Sequence, residues 1–259
     1  MAGIQFPKFK RGRIMKIGML ENMRDFPRDA LKCANESLSD GIISGLTPLV
    51  EKEIITFSKG VIKHKGELLL ISDLDPIQYN ATEVEVSIKL VFGDKTETHD
   101  YDTQLINLCI DKNLELTDLQ MELGRFKLKK GAYLRSDYQD LYDFTTEYNT
   151  INIVNVLYSG YLQPTLSHMV LKYFARAALF HNPQNQLDIS FAMLCMNNLR
   201  IEREVILHYI WNRLGTDSYP NDISNLEIHK KLVEALEVVK SERTPRKRTL
   251  SNKRKIMLD

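Results

Sequence analysis

The sequence predicts an α+β chain: an N-terminal helix, a small antiparallel β-sandwich or barrel, a C-terminal helical bundle and a basic tail. Three observations carry the prediction. An apolar three-and-four rhythm runs near the N-terminus, and strict apolar/polar alternation marks residues 84–92. Four amphipathic helical patterns separated by short loops then fill residues 165–240. The elements group as 1–44 (arm and helix), 45–136 (antiparallel β-domain), 137–241 (helical domain) and 242–259 (basic tail, expected to be disordered). With 259 residues, 43% hydrophobic and 27% charged, the chain has the make-up of a globular protein with room for a core.

Taken in order, residues 1–17 form an arm in which Lys8, Lys10, Arg11, Arg13 and Lys16 carry five positive charges and no acid stands among them. Such an arm either packs along the body or touches an acidic partner. Leu20, Met23, Leu31, Ala34 and Leu38 set a helix over about 19–38, which Phe26-Pro27 should split or kink. Gly41–Leu46 reads as a turn-rich approach, 53–58 as a strand, and 60–71 as two strands about a Lys65-Gly66 turn. Val84, Val86, Ile88, Leu90 and Phe92 alternate with Glu85, Ser87 and Lys89, the pattern of a half-buried antiparallel strand. Gly93–Thr98 reads as a hairpin turn and 104–109 as another strand. The apolar parity slips after Leu123, so a bulge is expected at Gly124-Arg125. A turn at Lys130-Gly131 would lead into a last strand at Tyr133-Leu134. Five to seven strands are expected in all.

Helices follow at about 165–180, 187–197 and 201–214, the third ending at Gly215. Ile189, Ala192, Met193 and Met196 are expected inward on the second, and Val205, Ile206, Tyr209 and Ile210 on the third. Ser224-Asn-Leu-Glu227 is a capping box with Ile223 and Ile228 as its staple, and the helix it opens runs to about Lys240.

No catalytic, cofactor-binding or metal-binding residue is predicted, and no enzymatic activity. Cys33, Cys109 and Cys195 are odd in number and far apart, and read as reduced, mostly buried thiols. No two of the six histidines lie three to five residues apart, and no Gly-rich phosphate loop or GxSxG occurs. His99-Asp-Tyr-Asp102 reads as a solvated turn. No apolar run is long enough to span a bilayer and the N-terminus lacks a secretory pattern, so a soluble, cytoplasmic chain without membrane insertion is expected. From Arg243 onward seven basic residues face one acid, Asp259, so the tail carries net +6 and the rest of the chain −5. The tail could bind nucleic acid. Residues 197–200 could join a helix-turn-helix, although two acids, Glu202 and Glu204, open its second helix. The Met and aromatic side chains of the bundle suit a core better than a pocket, and Trp211 is placed for an interface.

Residues 40–71, with Gly41, Ile42, Gly45, Leu46, Gly60 and Gly66 at the matching positions, resemble a module of phage tail and baseplate proteins: a helical lead-in, G-I-x-x-G-L, a strand, a glycine-bounded hairpin and a second strand. The resemblance implies a structural subunit of a contractile tail, baseplate or injection particle, made in the cytoplasm and then built into the particle. It implies other subunits as partners, with a homo-oligomer as one arrangement, and no cofactor. The apolar edge of the module, Ile42 and Leu46, is then expected to be covered by a partner. The alternative is a nucleic-acid-associated accessory or regulatory protein using the C-terminal tail.

Overall fold

The computed structural model describes residues 5–215 and 223–242. The basic tail falls, apart from Glu242, outside the described residues, and so does its expected disorder. Within them the chain is α+β, with five helices and three small antiparallel sheets.

The helical part follows its local signals closely. Ser167 accepts a bond from the Met169 amide and opens α2, His168–Phe180; Asn185 does the same for α3, Gln186–Asn197. The helix α4, Arg203–Leu214, stops at Gly215 in the left-handed conformation. Both halves of the Ser224/Glu227 capping box are made at the start of α5, Asn225–Ser241, and Ile223 and Ile228 are buried beside it. The aromatic residues form core: Phe191 stacks on Tyr209 at 4.0 Å, and Phe174 meets both edge-on. The inward set of α3 matches the expected one only at Ala192. Ile189, Met193 and Met196 are exposed, while Asp188, Phe191, Ala192 and Cys195 are buried. Apolar residues nearly encircle this helix, so periodicity alone does not choose the face. Asp188 enters the core because the Tyr209 hydroxyl donates to it at 2.9 Å and Arg213 lies 3.0 Å away. Val205 on α4 is likewise exposed.

The β part is not a closed barrel. Strands β1 (Gly41–Gly45), β4 (Gly60–His64) and β5 (Glu67–Ile71) form one sheet in the order β1-β4-β5. A second contains β2 (Pro48–Glu51), β3 (Ile54–Phe57) and β6 (Ile77–Gln78) in the order β2-β3-β6. The third has β7 (Val86–Glu97) between β8 (Asp102–Asp111) and β9 (Gln120–Phe126). Gly41–Leu46, expected as a turn-rich approach, is therefore mostly strand. At its end Gly45 (φ 73°) and Leu46 (φ 52°) are both left-handed and throw β2 into a different sheet, which prevents closure. No larger residue fits Gly45, since a Cβ there would lie 1.9 Å from the Lys59 carbonyl oxygen. The Lys65-Gly66 turn is as expected, with φ of 50° and 76°.

Three further β expectations change. β7 runs through Gly93 with a register shift between Phe92 and Lys95, and the hairpin turns instead at Thr98–Tyr101. Ser87 and Lys89, expected toward solvent, are fully buried. The Lys89 ammonium donates to Asp111 (3.0 Å) and to the Glu115 carbonyl (2.8 Å), and so pulls the 112–119 loop over that face. Tyr133-Leu134 form no strand. The expected bulge does appear, one residue early: Ile88 pairs with Gly124 and Lys89 with Glu122, leaving Leu123 as the extra residue. Residues 127–167 are irregular apart from a 3-10 turn at Tyr142–Thr145. They bury Leu141, Phe144, Ile151, Val154 and Val156 and join the sheets to the helices in one core.

The glycine-bounded module packs against this irregular segment. Ile42 donates to the Leu157 carbonyl and accepts from the Ser159 amide, both at 2.9 Å. Ile42 and Leu46 are each 1% exposed. The apolar edge expected to await a partner is thus covered by the chain itself.

Candidate interaction surface

Expected as a helix over about 19–38, α1 (Ile17–Ala34) buries no residue at all. It is one helix of 18 residues running straight through Pro27. Proline removes the bond to the Met23 carbonyl, and water can solvate that carbonyl because Met23 is 55% exposed. At 100° per residue the side chains segregate sharply. Leu20, Met23, Phe26, Ala30, Leu31 and Ala34 share one side; Glu21, Arg24, Asp25, Arg28, Asp29 and Lys32, all the charged residues of the helix, share the other. The charged side is internally neutralised, with Arg24 on Asp25 at 2.7 Å and Arg28 on Asp25 at 3.1 Å. On the apolar side Leu20, Met23, Phe26 and Leu31 stand 44–61% exposed.

The base of this helix is held firmly. Lys63 on β4 is 8% exposed and spends its three ammonium protons on the carbonyls of Asn35 (3.1 Å), Glu36 (2.8 Å) and Leu38 (2.6 Å). These are the carbonyls at and just beyond the C-terminal end of α1, where a cation also meets the negative end of the helix dipole. Asp40 adds a second tie, accepting from the amides of Lys65 (2.7 Å) and Gly66 (3.1 Å). A helix with a free apolar face is therefore carried on a fixed root.

The basic arm belongs to this surface. Its described part, from Gln5, folds back on α1 and not along the sheets. Phe6 meets Phe26 edge-on at 6.3 Å, and Asn22 donates to the Gln5 carbonyl at 3.3 Å. Phe6, Phe9, Ile14 and Met15 are exposed among the five cations. Arm and helix together present apolar side chains beside a concentrated positive charge.

The three cysteines stand on different elements, α1, β8 and α3. Cys33 is exposed on α1, Cys109 is half-buried and Cys195 is buried, its thiol pushed up to about 12 by burial. The expectation of mostly buried thiols therefore fails at Cys33, which shares the exposure of its helix. Among the described residues no group of three His, Cys, Asp or Glu is placed to hold a metal. His99 and Asp100 sit 3.1 Å apart on the exposed β7–β8 turn. His64 stacks on Phe92 at 4.0 Å, and burial holds its imidazole below the ordinary value. His229 is buried and bonded to the Leu141 carbonyl at 3.0 Å, its pKa likewise lowered by burial. The α3–α4 pair is not arranged as a reading head. Arg203, at the start of α4, is turned inward, donating to Asn225 Oδ1 at 2.7 Å and to the Ile223 carbonyl. Trp211 is half-buried beside His208. Among the described residues no helix is long and apolar enough to cross a membrane.

Sequence reasoning found the helix and the arm but not their exposure. The available signal was the separation of charged from apolar residues around α1, broken only at its first residue, Ile17, with Pro27 within the apolar side.

No family model matches the chain, and no curated protein does. Three solved structures share features with it. One is a TssK–TssF–TssG baseplate subcomplex of the type VI secretion system, 10% identical over 92% of this chain and 100% of that chain, with a TM-score of 0.45. Another is a crystal structure of TssK, 10% identical over 90% of this chain and 72% of that one, at 0.46. The third is a type VI secretion baseplate complex, 9% identical over 91% and 100%, at 0.33. At these identities, with every TM-score below 0.5, the likeness fixes no function.

Proposed function

We propose that this chain is a structural subunit of a contractile tail, baseplate or injection-type particle and acts by protein–protein assembly, not by turnover. The observation that carries the assembly reading is α1: 18 residues, none buried, with the charges on one side and an apolar face on the other, standing on the Lys63 root. An apolar face of this kind on a chain that already has a complete core is a surface for another protein. The class of particle comes from the resemblance of residues 40–71 to a phage tail and baseplate module. In that setting the buried Ile42 and Leu46 hold the root of α1 in place and do not form the contact themselves.

Co-expression with the products of the genes adjacent to this one tests the proposal. Co-elution in a particle-sized complex, with sheath, tube or spike genes as the neighbours, is the expected outcome. Sequence-selective DNA binding that requires Arg246–Lys255 would instead favour the nucleic-acid alternative. A transfer or hydrolytic activity lost on one polar substitution would also overturn the proposal.

A further inference from the structure

The outer strand of the first sheet, β5, pairs with β4 and has, among the described residues, no strand on its other side. Natural edges are usually blunted by lysine, proline or a bulge. This one reads Glu-Leu-Leu-Leu-Ile, and Leu70 is 73% exposed. A groove of about 650 Å³ runs beside it, lined by the consecutive residues Glu67–Leu70. Consecutive lining places the groove along the strand edge and not over one face of the sheet, because alternate side chains of a strand point to opposite faces. The opposite wall is the β7–β8 hairpin, through Lys95–Glu97 and Asp102–Gln104. Of the charges lining the groove, Lys95 is paired with Glu67 at 2.6 Å. Glu97 and Asp102 are left over, with Asp94 and Asp100 on the same hairpin, so the wall is negative.

We propose that this edge groove receives the N-terminal arm of a second copy of the chain, laid beside β5 as an added strand. The inference rests on the assembly reading above and names one partner for it. Three features of the arm match the groove. Residues 7–10 are neither helix nor strand and lie beyond the Gln5 and Phe6 contacts with α1. Extended, they set Lys8 and Lys10 on one side and Phe9 on the other, cations for the acidic wall and an aromatic ring for Leu70. Pro7 is tolerated in an added strand when its missing N–H faces away from the ladder. In each chain Gln5 and Phe6 rest on its own α1, and the residues left to offer another copy's groove are Lys8, Phe9 and Lys10, all exposed. Arm and groove are different surfaces, so the contact is head-to-tail; repeated, it closes a ring or propagates a filament. The C-terminal basic stretch matches less well, with no aromatic residue among Arg243–Asp259.

Disulfide trapping between full-length chains tests this. In a Cys33→Ser background, one chain carries Leu70→Cys and a second, of different mass, carries Phe9→Cys. Tyr133→Cys, exposed on a separate groove, is the control for random collision. The mixed cross-link is expected to exceed the control by about tenfold or more. It should fall when the first chain also carries Glu97→Lys and Asp102→Lys, and return when the second carries Lys8→Glu and Lys10→Glu. A yield equal to the control overturns the proposal. So does a yield that charge reversal in the arm leaves unchanged but deletion of 243–259 abolishes, which would assign the groove to the tail. The two levels fail separately. If trapping fails while substitution of the α1 apolar face still blocks assembly, only the copy-to-copy contact falls. If α1 substitution has no effect on assembly, the assembly reading falls whatever the cross-link shows.

Discussion

Replacing Lys63 with Met keeps the length and apolar stem of the side chain and removes its charge and three donors. In the folded chain those donors serve the carbonyls of Asn35, Glu36 and Leu38 from a position 8% exposed. A hydrogen bond from a charged group contributes about 1.5–3 kcal/mol net. The three are not additive, since one ammonium makes them all, and the Asn35 carbonyl also accepts from the Leu38 amide at 3.2 Å. A total of about 3 kcal/mol is the reasonable sum for orphaning the Glu36 and Leu38 carbonyls. In a chain of this size each kcal/mol moves the midpoint by about 2–4 °C, so Lys63→Met should lower it by about 6–12 °C. Lys63→Arg should fall between, because a planar fork cannot aim three donors into the same cone. Differential scanning calorimetry gives the midpoint, and hydrogen exchange of the amides from 36 to 42 locates the loss. A midpoint within about 2 °C of wild type, with exchange at the α1 root unchanged, would refute the clamp.

Leu46→Asp places a carboxylate at a site 1% exposed beside Gly60, and should prevent folding or cost at least about 4 kcal/mol, read by urea melts. Normal folding with lost assembly would restore the idea of a partner-covered edge. Burial lowers the pKa of His229 in the folded state, so the unfolded chain binds the proton more readily below the ordinary value. Its contribution is complete above about pH 6.5 and is lost as pH falls through that range; His64 and His168 have the same sign. His229→Gln, able to keep the bond to the Leu141 carbonyl, should flatten stability against pH between 6.5 and 5 by up to about 1.4 kcal/mol per pH unit, and an unchanged slope would count against it. Ser224→Ala should cost about 1 kcal/mol through the lost cap, and neutrality would mean the box contributes nothing in water.

Local chemistry was legible wherever the cause is local. The capping box at Ser224, the left-handed stop at Gly215, the Lys65-Gly66 turn and the bulge beside Gly124 depend on a few neighbouring residues, and they appear at or within one residue of where the sequence places them. Burial was less legible because it depends on what arrives from elsewhere. The alternation at Ser87 and Lys89 predicts the strand correctly, but a loop 26 residues further on covers its polar face, through the bond from Lys89 to Glu115. Ile42 looks like an open edge until Leu157 and Ser159 bond to it, and Leu46 until its amide turns back to the Lys59 carbonyl. On α1 the amphipathic pattern marks an apolar face, and it does not say whether this chain covers that face.

That last point gives the most direct test: Leu20→Gln, Met23→Gln, Phe26→Gln and Leu31→Gln together, measured for both stability and binding. Each side chain is about half exposed, so burial of the remainder against a partner is worth about 1 kcal/mol, and the four together about 4 kcal/mol, near three orders of magnitude in Kd. The midpoint of the isolated chain should stay within about 2 °C of wild type, because α1 supplies nothing to the core, while affinity for the co-expressed neighbouring subunits collapses. A fall in the midpoint together with unchanged affinity would show that this face serves the chain's own fold, and would contradict the account.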